Sequence, residues 1–423
     1  MKLSLPAPLR RLRSAAAIIS AKVATSASKA TGRGSGGMIG GLVASKVDPD
    51  IMSNLINNRP TVLVTGTNGK STTTRMLAAA MRSTYTVATN EGGDNMDAGI
   101  ISALLAGRNA SHVVLEVDEL HVPAAIERLK PDALVLLNLS RDQLDRVGEI
   151  NKIERVLRDA VRSRPEMTVI ANCDDVLVTS VAFDAENVIW VGAGTGWQGE
   201  SATCPRTESR ILHDGRHWSA EKTLLDGRTF ARPTPSWEVD GDTIHSPSGD
   251  LTLDLNLPGQ ANRGNAAQAI AASTVFNVPV SSALPAVNSV NNVAGRYSTI
   301  TVGEHKVHLL LAKNPAGWQE ALSMVDRTAD GLVIVVNGQV ADGEDLSWLW
   351  DVRFEDFENL SVKASGERGT DLAVRLTYAE IDHELISNPV DAIAACPPGR
   401  IEVLANYTAF RDLKKALEKG TEQ

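Results

Sequence analysis

Gly66, Gly69, Lys70 and Ser71 lie within one short string, TVLVTGTNGKSTTTRML at 61–77, and together they are the residue types that grip a phosphate. The glycines let backbone N–H groups converge on an anion at a helix N-terminus, where the helix dipole already favours negative charge. Lys70 is suited to neutralise β- and γ-phosphate oxygens, and the Ser71 hydroxyl to hold Mg2+. Thr67, Asn68 and Thr72 complete the candidate ATP-binding loop. The common G-x-x-x-x-G-K-[ST] loop would place glycine at 64. Val64 stands there instead, so this loop is shorter.

Further strings supply other groups that a nucleotide enzyme needs. LEVDE at 115–119 ends a strand with Glu116, which can reach the metal from the same sheet edge, because ligands of open α/β sheets bind beyond strand C-termini. NLSRDQLDRVGE at 138–149 closes another strand with dense charge. GQANRGNAAQA at 259–269 sets Asn262 and Asn265 three apart on one helix face, where their amides can read an adenine edge or order the helix entry. LAKNPAGW at 311–318 brings Lys313 and Asn314 to an interdomain cleft, and Arg296, just before this second block, joins the candidate nucleotide-binding residues.

Regular strand–helix alternation must position these groups. Strand signals at 61–65, 112–117, 133–138, 168–171 and 188–191 have the spacing of βαβ units in a mainly parallel sheet. Between 195 and 250 the pattern breaks into an insertion with short β signals, a helix spans 262–275, and a second α/β block has strands at 307–311, 332–336, 360–364 and 401–404. The expected plan is a basic N-terminal segment at 1–51 packing on a central ATP-binding domain at 52–295, followed by a C-terminal α/β domain at 296–423. A chain of 423 residues with 43% hydrophobic and 4% aromatic residues has ordinary α/β composition. The early apolar run at 15–19 is too short to span a bilayer, and Lys22 and Lys29 interrupt any secretory core. Cys173, Cys204 and Cys396 give no disulfide framework, so the expected location is cytoplasmic.

Charge is unevenly spread. The first 46 residues carry eight Lys/Arg and no acid, whereas the rest is net −17. Within the basic segment Leu9, Leu12, Ala16, Ile19 and Val23 form a helical stripe. Two readings follow: a helix docked on the neighbouring domain, or a peripheral contact with the anionic inner face of the cell membrane. GRGSGG at 32–37 reads as a flexible joint. An acidic chain without a basic aromatic face is not a nucleic-acid binder.

These strings, in this order, resemble the Mur ligase superfamily, whose form of the phosphate loop is GTNGKS. Within it they resemble the MurT family, ligase subunits of lipid II isoglutaminyl synthases. The shared strings run from GRGSGG through NEGGDNMDAGI, NLSRDQLDRVGEI, NCDD, LAKNPAGW and ADGEDLSWLWD to NYT. The resemblance implies a Mur-ligase-type central domain with a parallel sheet and a Rossmann-like C-terminal domain that binds a glutaminase. It implies a carbon–nitrogen ligase using ATP and Mg2+. The D-glutamate α-carboxylate of the peptidoglycan stem peptide on lipid II becomes an acyl phosphate, which ammonia converts to D-isoglutamine. Lys70, Ser71 and Glu116 then serve phosphoryl transfer, which needs charge neutralisation and positioning more than covalent help. Asn265 matches the family's ATP-contacting asparagine.

Ammonia, on this resemblance, comes from a separate GatD-like glutaminase carrying cysteine and histidine, with the triad aspartate supplied by the MurT-like chain. ADGEDLSW aligns that role with Asp345. By residue type alone Asp345 reads as a helix cap before Leu346-Ser347-Trp348; the resemblance gives it the triad role. One departure concerns the family's four-cysteine zinc ribbon. Here Thr207 stands where a second cysteine is expected after Cys204, and HWSAEKT has none. His213 and His217 make a poor substitute set, because structural zinc takes four ligands. No zinc is expected, and the degenerate ribbon is read as a β excursion held by packing. The alternative function is another ligase of the superfamily, adding an amino acid to a muropeptide or glutamate to folate, but ADGEDLSWLWD and NYT argue against it. A nucleotide switch without catalysis would not need Lys70, Ser71 and Glu116 together.

Overall fold

The structure, a computed structural model, describes residues 7–30, 38–90, 92–140, 147–194, 202–291, 297–343, 345–357 and 361–421. Arg296, GRGSGG and residues 141–146 of the charged string lie outside them. The described residues of 1–139, 151–257 and 261–291 form one unit, and those of 140–150, 258–260 and 292–423 a second.

Three helices lead the first unit: α1 (Ala7–Ala30), α2 (Ile39–Val47) and α3 (Ile51–Ile56). α1 packs on α2 through small side chains. A Cβ added to Gly40 would lie 2.5 Å from Thr25 Oγ1 and 3.5 Å from the Ala21 carbonyl, so the helices approach too closely for larger residues. Arg13 Nη2 bridges Asp48 Oδ1 at 2.7 Å and Asp50 Oδ2 at 2.6 Å, fixing the helix further. The helix docks, but not through its large apolar stripe. Leu9, Leu12, Ile19 and Val23 are exposed, while Ala17 and Ala21 on the opposite face are buried. Close helix approach selects small residues, and the large apolar ones point outward.

The chain then alternates: β1 (Thr61–Thr65), α4 (Lys70–Arg82), β2 (Val87–Thr89), α5 (Asp97–Ala106), β3 (His112–Glu116), α6 (Val122–Leu129), β4 (Ala133–Leu136), α7 (Val147–Arg162), β5 (Thr168–Asn172), α8 (Val176–Ala182) and β6 (Val188–Gly192). The order β2-β3-β1-β4-β5-β6 is parallel throughout. β1, TVLVT, is buried at every position, as a central parallel strand covered on both faces must be. The segment 195–250, expected as one insertion, is divided. β7 (Ile211–Asp214) and β8 (His217–Ala220) make a separate hairpin. β9 (Trp237–Asp240), β10 (Thr243–Ser246) and β11 (Gly249–Thr252) instead extend the main sheet to nine strands, β9 parallel to β6 and the others antiparallel. Their alternating burial suits a half-covered sheet margin. The unit closes with α9 (Gln260–Thr274) and α10 (Val280–Asn288).

The β7–β8 hairpin sits on an apolar cluster of Val176, Cys204, Ile211, Trp218, Ala220 and Phe230, whereas His213 and His217 are exposed. Beside it Asp184 accepts from Arg162 at 2.7 Å, Arg206 at 2.8 Å and Arg228 at 3.0 Å, and the Arg206 guanidinium lies 5.0 Å from the Phe183 ring centre. Burial alone would raise the Asp184 carboxyl, but hydrogen bonds from Arg206, Arg162 and Arg228 outweigh it and hold it well below the usual range. Because the folded-state value is depressed, this stabilisation is complete above the unfolded-state value near roughly pH 4 and falls away as pH drops below it. Asp184→Asn is expected to cost about 2 kcal/mol at neutral pH, because the buried Arg206 loses its anion. A chelator should leave the melting temperature unchanged; a chelator-sensitive melt would mean that metal, not this cluster, holds the hairpin.

In the second unit β12 (Tyr297–Val302), β13 (His305–Leu311), α11 (Pro315–Met324), β14 (Gly331–Val335), β15 (Val362–Ser365), α12 (Gly369–Tyr378), β16 (His383–Leu385), α13 (Pro389–Ala394), β17 (Gly399–Ala405) and α14 (Tyr407–Thr421) build a six-stranded sheet. Its order is β12-β13-β17-β14-β15-β16, parallel except for β12. This is the Rossmann-like α/β arrangement expected. Trp318 and Trp348 stack at 5.3 Å in its core, beside Phe354.

Candidate functional site

β1 lies between β3 and β4, and the loop leaving it enters α4 at the sheet edge where ligands of such folds bind. Gly66 has φ 142° and Gly69 φ 82°, values that favour glycine. A Cβ on Gly66 would lie 2.9 Å from the Leu137 Cβ, and one on Gly69 only 2.7 Å from Asn265 Oδ1. The loop is pinned from below by Asn138, whose carbonyl accepts from Thr67 N at 2.9 Å and whose Oδ1 accepts from Asn68 N at 2.8 Å. The N–H groups of Thr67 and Asn68 are therefore committed to shaping the loop. Donors for an anion come from the first turn of α4, at Lys70, Ser71 and Thr72, where N–H groups have no intrahelical partner. α4 runs 13 residues and has no side-chain cap at Gly69, so its positive end stays open for a phosphate.

Asn265 is buried on α9 and donates to Asn262 Oδ1 at 3.3 Å, so the two amides share one helix face and the second meets the loop at Gly69. Glu116 is 3% exposed and pairs in register with Val64 at the end of β1. Its Oε1 accepts from Asn95 Nδ2 at 3.1 Å, while Oε2 is buried without a hydrogen-bond partner. Such an oxygen is costly unless something cationic or protic satisfies it. The loop at 92–95 reaches both groups proposed for metal: Asn95 holds Glu116, and a Cβ on Gly93 would lie 3.8 Å from Ser71 Oγ. A hydroxyl and a carboxylate are hard oxygen donors, so this set fits Mg2+.

Lys70 shows a partner that the sequence reading missed. Its ammonium donates to the Gly66 carbonyl at 2.5 Å, the Thr67 carbonyl at 3.2 Å and Glu119 Oε2 at 3.2 Å, with both side chains largely buried. Glu119 thus holds the ammonium that a phosphate would take. Removing that competing charge with Glu119→Gln is expected to tighten ATP binding about tenfold, the size of one charge-assisted hydrogen bond. Calorimetry on the purified chain checks this; weaker binding would make Glu119 an aligner of Lys70 rather than its competitor.

The second unit holds the remaining residues. Asn314 Oδ1 caps α11, accepting from Gly317 N at 2.8 Å, and Lys313 Nζ lies 5.2 Å from the Tyr407 ring centre. Asp345 is exposed, and its Oδ1 accepts from Ser347 N at 2.8 Å; it is not the helix cap its residue type suggests, because the 3-10 turn at Ser347–Trp350 starts one position later, with Leu346 as its N-cap and no side-chain cap. The backbone hydrogen bond from Ser347 lowers the Asp345 carboxyl below its ordinary value. The carboxylate lines an open hollow of about 450 Å3 with Ser347, Trp350, Arg368, Asp371 and Val374. Its loop is tied down nearby. Asp342 accepts from the Thr408 N–H and hydroxyl at the start of α14, and Asn406 Nδ2 donates to the Asn337 carbonyl at 2.6 Å.

The three cysteines are buried and free. Burial pushes the Cys173 thiol up to about 12 and raises that of Cys396. Both are poor nucleophiles near neutrality, since the thiolate is the reactive form. No helix among the described residues is long and apolar enough to cross a membrane.

Two family models match this chain: the Mur ligase middle domain over residues 64–273 and the MurT ligase C-terminal domain over 311–410. The lipid II isoglutaminyl synthase (glutamine-hydrolyzing) subunit MurT of Streptococcus pneumoniae (strain ATCC BAA-255 / R6) is 27% identical over 416 residues, covering 91% of this chain and 93% of that one. Its counterpart from Staphylococcus aureus (strain COL) is 26% identical over 430 residues, covering 96% and 98%. Among solved structures, a pseudomurein peptide ligase type C from Methanothermus fervidus superposes with a TM-score of 0.68 at 16% identity, covering 88% of this chain and 81% of that one, a likeness of fold.

Proposed function

The chain belongs to the MurT family of Mur ligases and is an ATP-dependent ligase, and from that premise we propose that it amidates the D-glutamate α-carboxylate of the lipid II stem peptide to D-isoglutamine, with ammonia released by a GatD-like glutaminase. The observation that carries this reading is the uncapped start of α4, with Lys70 in its first turn and Asn265 seated against Gly69.

In the first step a carboxylate oxygen of D-glutamate attacks the γ-phosphorus of ATP, the bond to the bridging oxygen breaks, and ADP leaves. Lys70 balances charge on the transferring group, and the N–H groups opening α4 hold the phosphates in line. Ser71 and Glu116 would hold Mg2+, which would supply further neutralisation of the phosphates. Asn265, oriented by Asn262, is the amide assigned to ATP. Arg296, Lys313 and Asn314 are retained as candidate nucleotide contacts from their place in the sequence. In the second step the ammonia nitrogen attacks the acyl carbon, the C–O bond to phosphate breaks, and the nitrogen loses a proton as inorganic phosphate leaves. Making ammonia from glutamine needs a readily deprotonated cysteine nucleophile paired with a histidine that takes its proton. The buried cysteines of this chain do not suit that task, which supports a partner carrying them. Asp345 is then the acid that orients the partner's histidine. Co-expression with the candidate glutaminase, followed by mass spectrometry of lipid II, tests the reading. Amidated lipid II is expected; unmodified lipid II from an active preparation would overturn it.

A further inference from the structure

The face that α1 turns away from the protein has the make-up of a lipid-contacting surface. Leu9, Leu12, Ile19 and Val23 are between 51% and 67% exposed, and Ala16 is exposed among them at the same helical spacing. The inner face is small: Ala17 and Ala21 are buried, and Ser14 donates to Asp48. A helix that only docks buries its large apolar side chains and exposes its small ones. α1 does the reverse, and its seat on α2 together with the Arg13 bridge to Asp48 and Asp50 fixes the orientation.

Charge selects the occupant. Arg10, Arg11 and Lys22 are exposed on the same helix, and the first 46 residues contain eight Lys/Arg and no acid. The remainder is net −17, so an anionic surface attracts this segment and repels the rest, which orients the molecule. A second copy of the chain would bring two acid-free basic segments together, which their repulsion opposes. With 24 residues and too little apolarity to cross a bilayer, α1 suits lying flat in the interface with its apolar row at the acyl boundary. We propose that the outward face of α1, with its apolar row Leu9, Leu12, Ile19 and Val23, aided by the exposed bases Arg10, Arg11 and Lys22 of the same helix, binds the surface of an anionic bilayer. This holds independently of the amidation reading; where that reading holds too, the contact keeps the ligase beside a lipid-linked substrate.

The test is co-sedimentation of the purified full chain with vesicles of phosphatidylglycerol and phosphatidylcholine, against phosphatidylcholine alone. Binding to the anionic vesicles, weakened by salt, is expected. The triple variant Leu12→Ser/Ile19→Ser/Val23→Ser and the triple variant Arg10→Gln/Arg11→Gln/Lys22→Gln should each weaken it about tenfold or more. Their thermal melts should match the parent, because all six side chains are exposed. Failure of the parent chain to bind anionic vesicles, or unchanged binding by both variants, would overturn the proposal. So would sedimentation velocity showing a dimer that the apolar variant dissociates, since the face would then be a self-interface.

Discussion

Lys70→Ala is expected to lower ATP-dependent amidation about a thousandfold, in line with removing a preorganised charge from a phosphoryl-transfer site. The effect divides into chemistry and fold in a measurable way. Lys70 and Glu119 form a largely buried pair, so the single substitution leaves Glu119 without its cation. A modest loss of thermal stability should accompany the loss of rate. Lys70→Ala/Glu119→Gln removes the stranded charge as well; it should recover stability without recovering activity. Recovery of both would mean that Lys70 supports the loop rather than the reaction, and near-parental turnover by Lys70→Ala at saturating ATP would remove the phosphate-loop assignment altogether.

Asp345→Asn should separate two sources of nitrogen. In a triad the acid orients the histidine and stabilises its charged form, and substituting it can cost about ten-thousandfold. Glutamine-driven amidation by the two-chain complex should therefore fall by several orders of magnitude. Asparagine keeps the shape and the Oδ1 that accepts from Ser347, so the 3-10 turn and complex formation should persist. Amidation driven by added ammonium salt should be spared, because the ATP loop belongs to another part of the chain. If both rates fall together, Asp345 serves the ligase reaction or the fold. If neither falls, the triad assignment is wrong.

How much of this was legible in the sequence depended on whether a feature is local. The strand–turn–helix around Lys70 was, because a β-branched run, two glycines and a lysine before hydroxyls encode strand, turn and helix start within a dozen or so residues. Parallel strands read well for the same reason: continuous burial makes continuous Val, Leu and Ile, as in β1 and β4. Pairings across the chain did not. LEVDE contains three acids, and spacing alone cannot show that Glu116 keeps an unsatisfied oxygen while Glu119 reaches Lys70. Asn138 was read as part of a charged strand end, yet it braces the loop some 70 positions away. The three residues of β2 were too few to show a period, and β9–β11 looked like part of an insertion because strands at a sheet margin are short and half covered. The stripe on α1 is legible, but its direction depends on how closely α2 approaches, which only Gly40 in three dimensions reveals.

Whether this ligase forms an amide on a D-glutamate carboxylate is decided by incubating the purified chain with ATP, Mg2+, an ammonium salt and lipid II, without a glutaminase. Fragment-ion mass spectrometry then locates the change. ATP-dependent amide formation confined to the α-carboxylate of D-glutamate is expected, with ADP released in step with amide and the rate about a thousandfold lower in Lys70→Ala. Addition of an amino-acid residue instead of an amide, or an amide at another carboxylate, would contradict the proposed amidation.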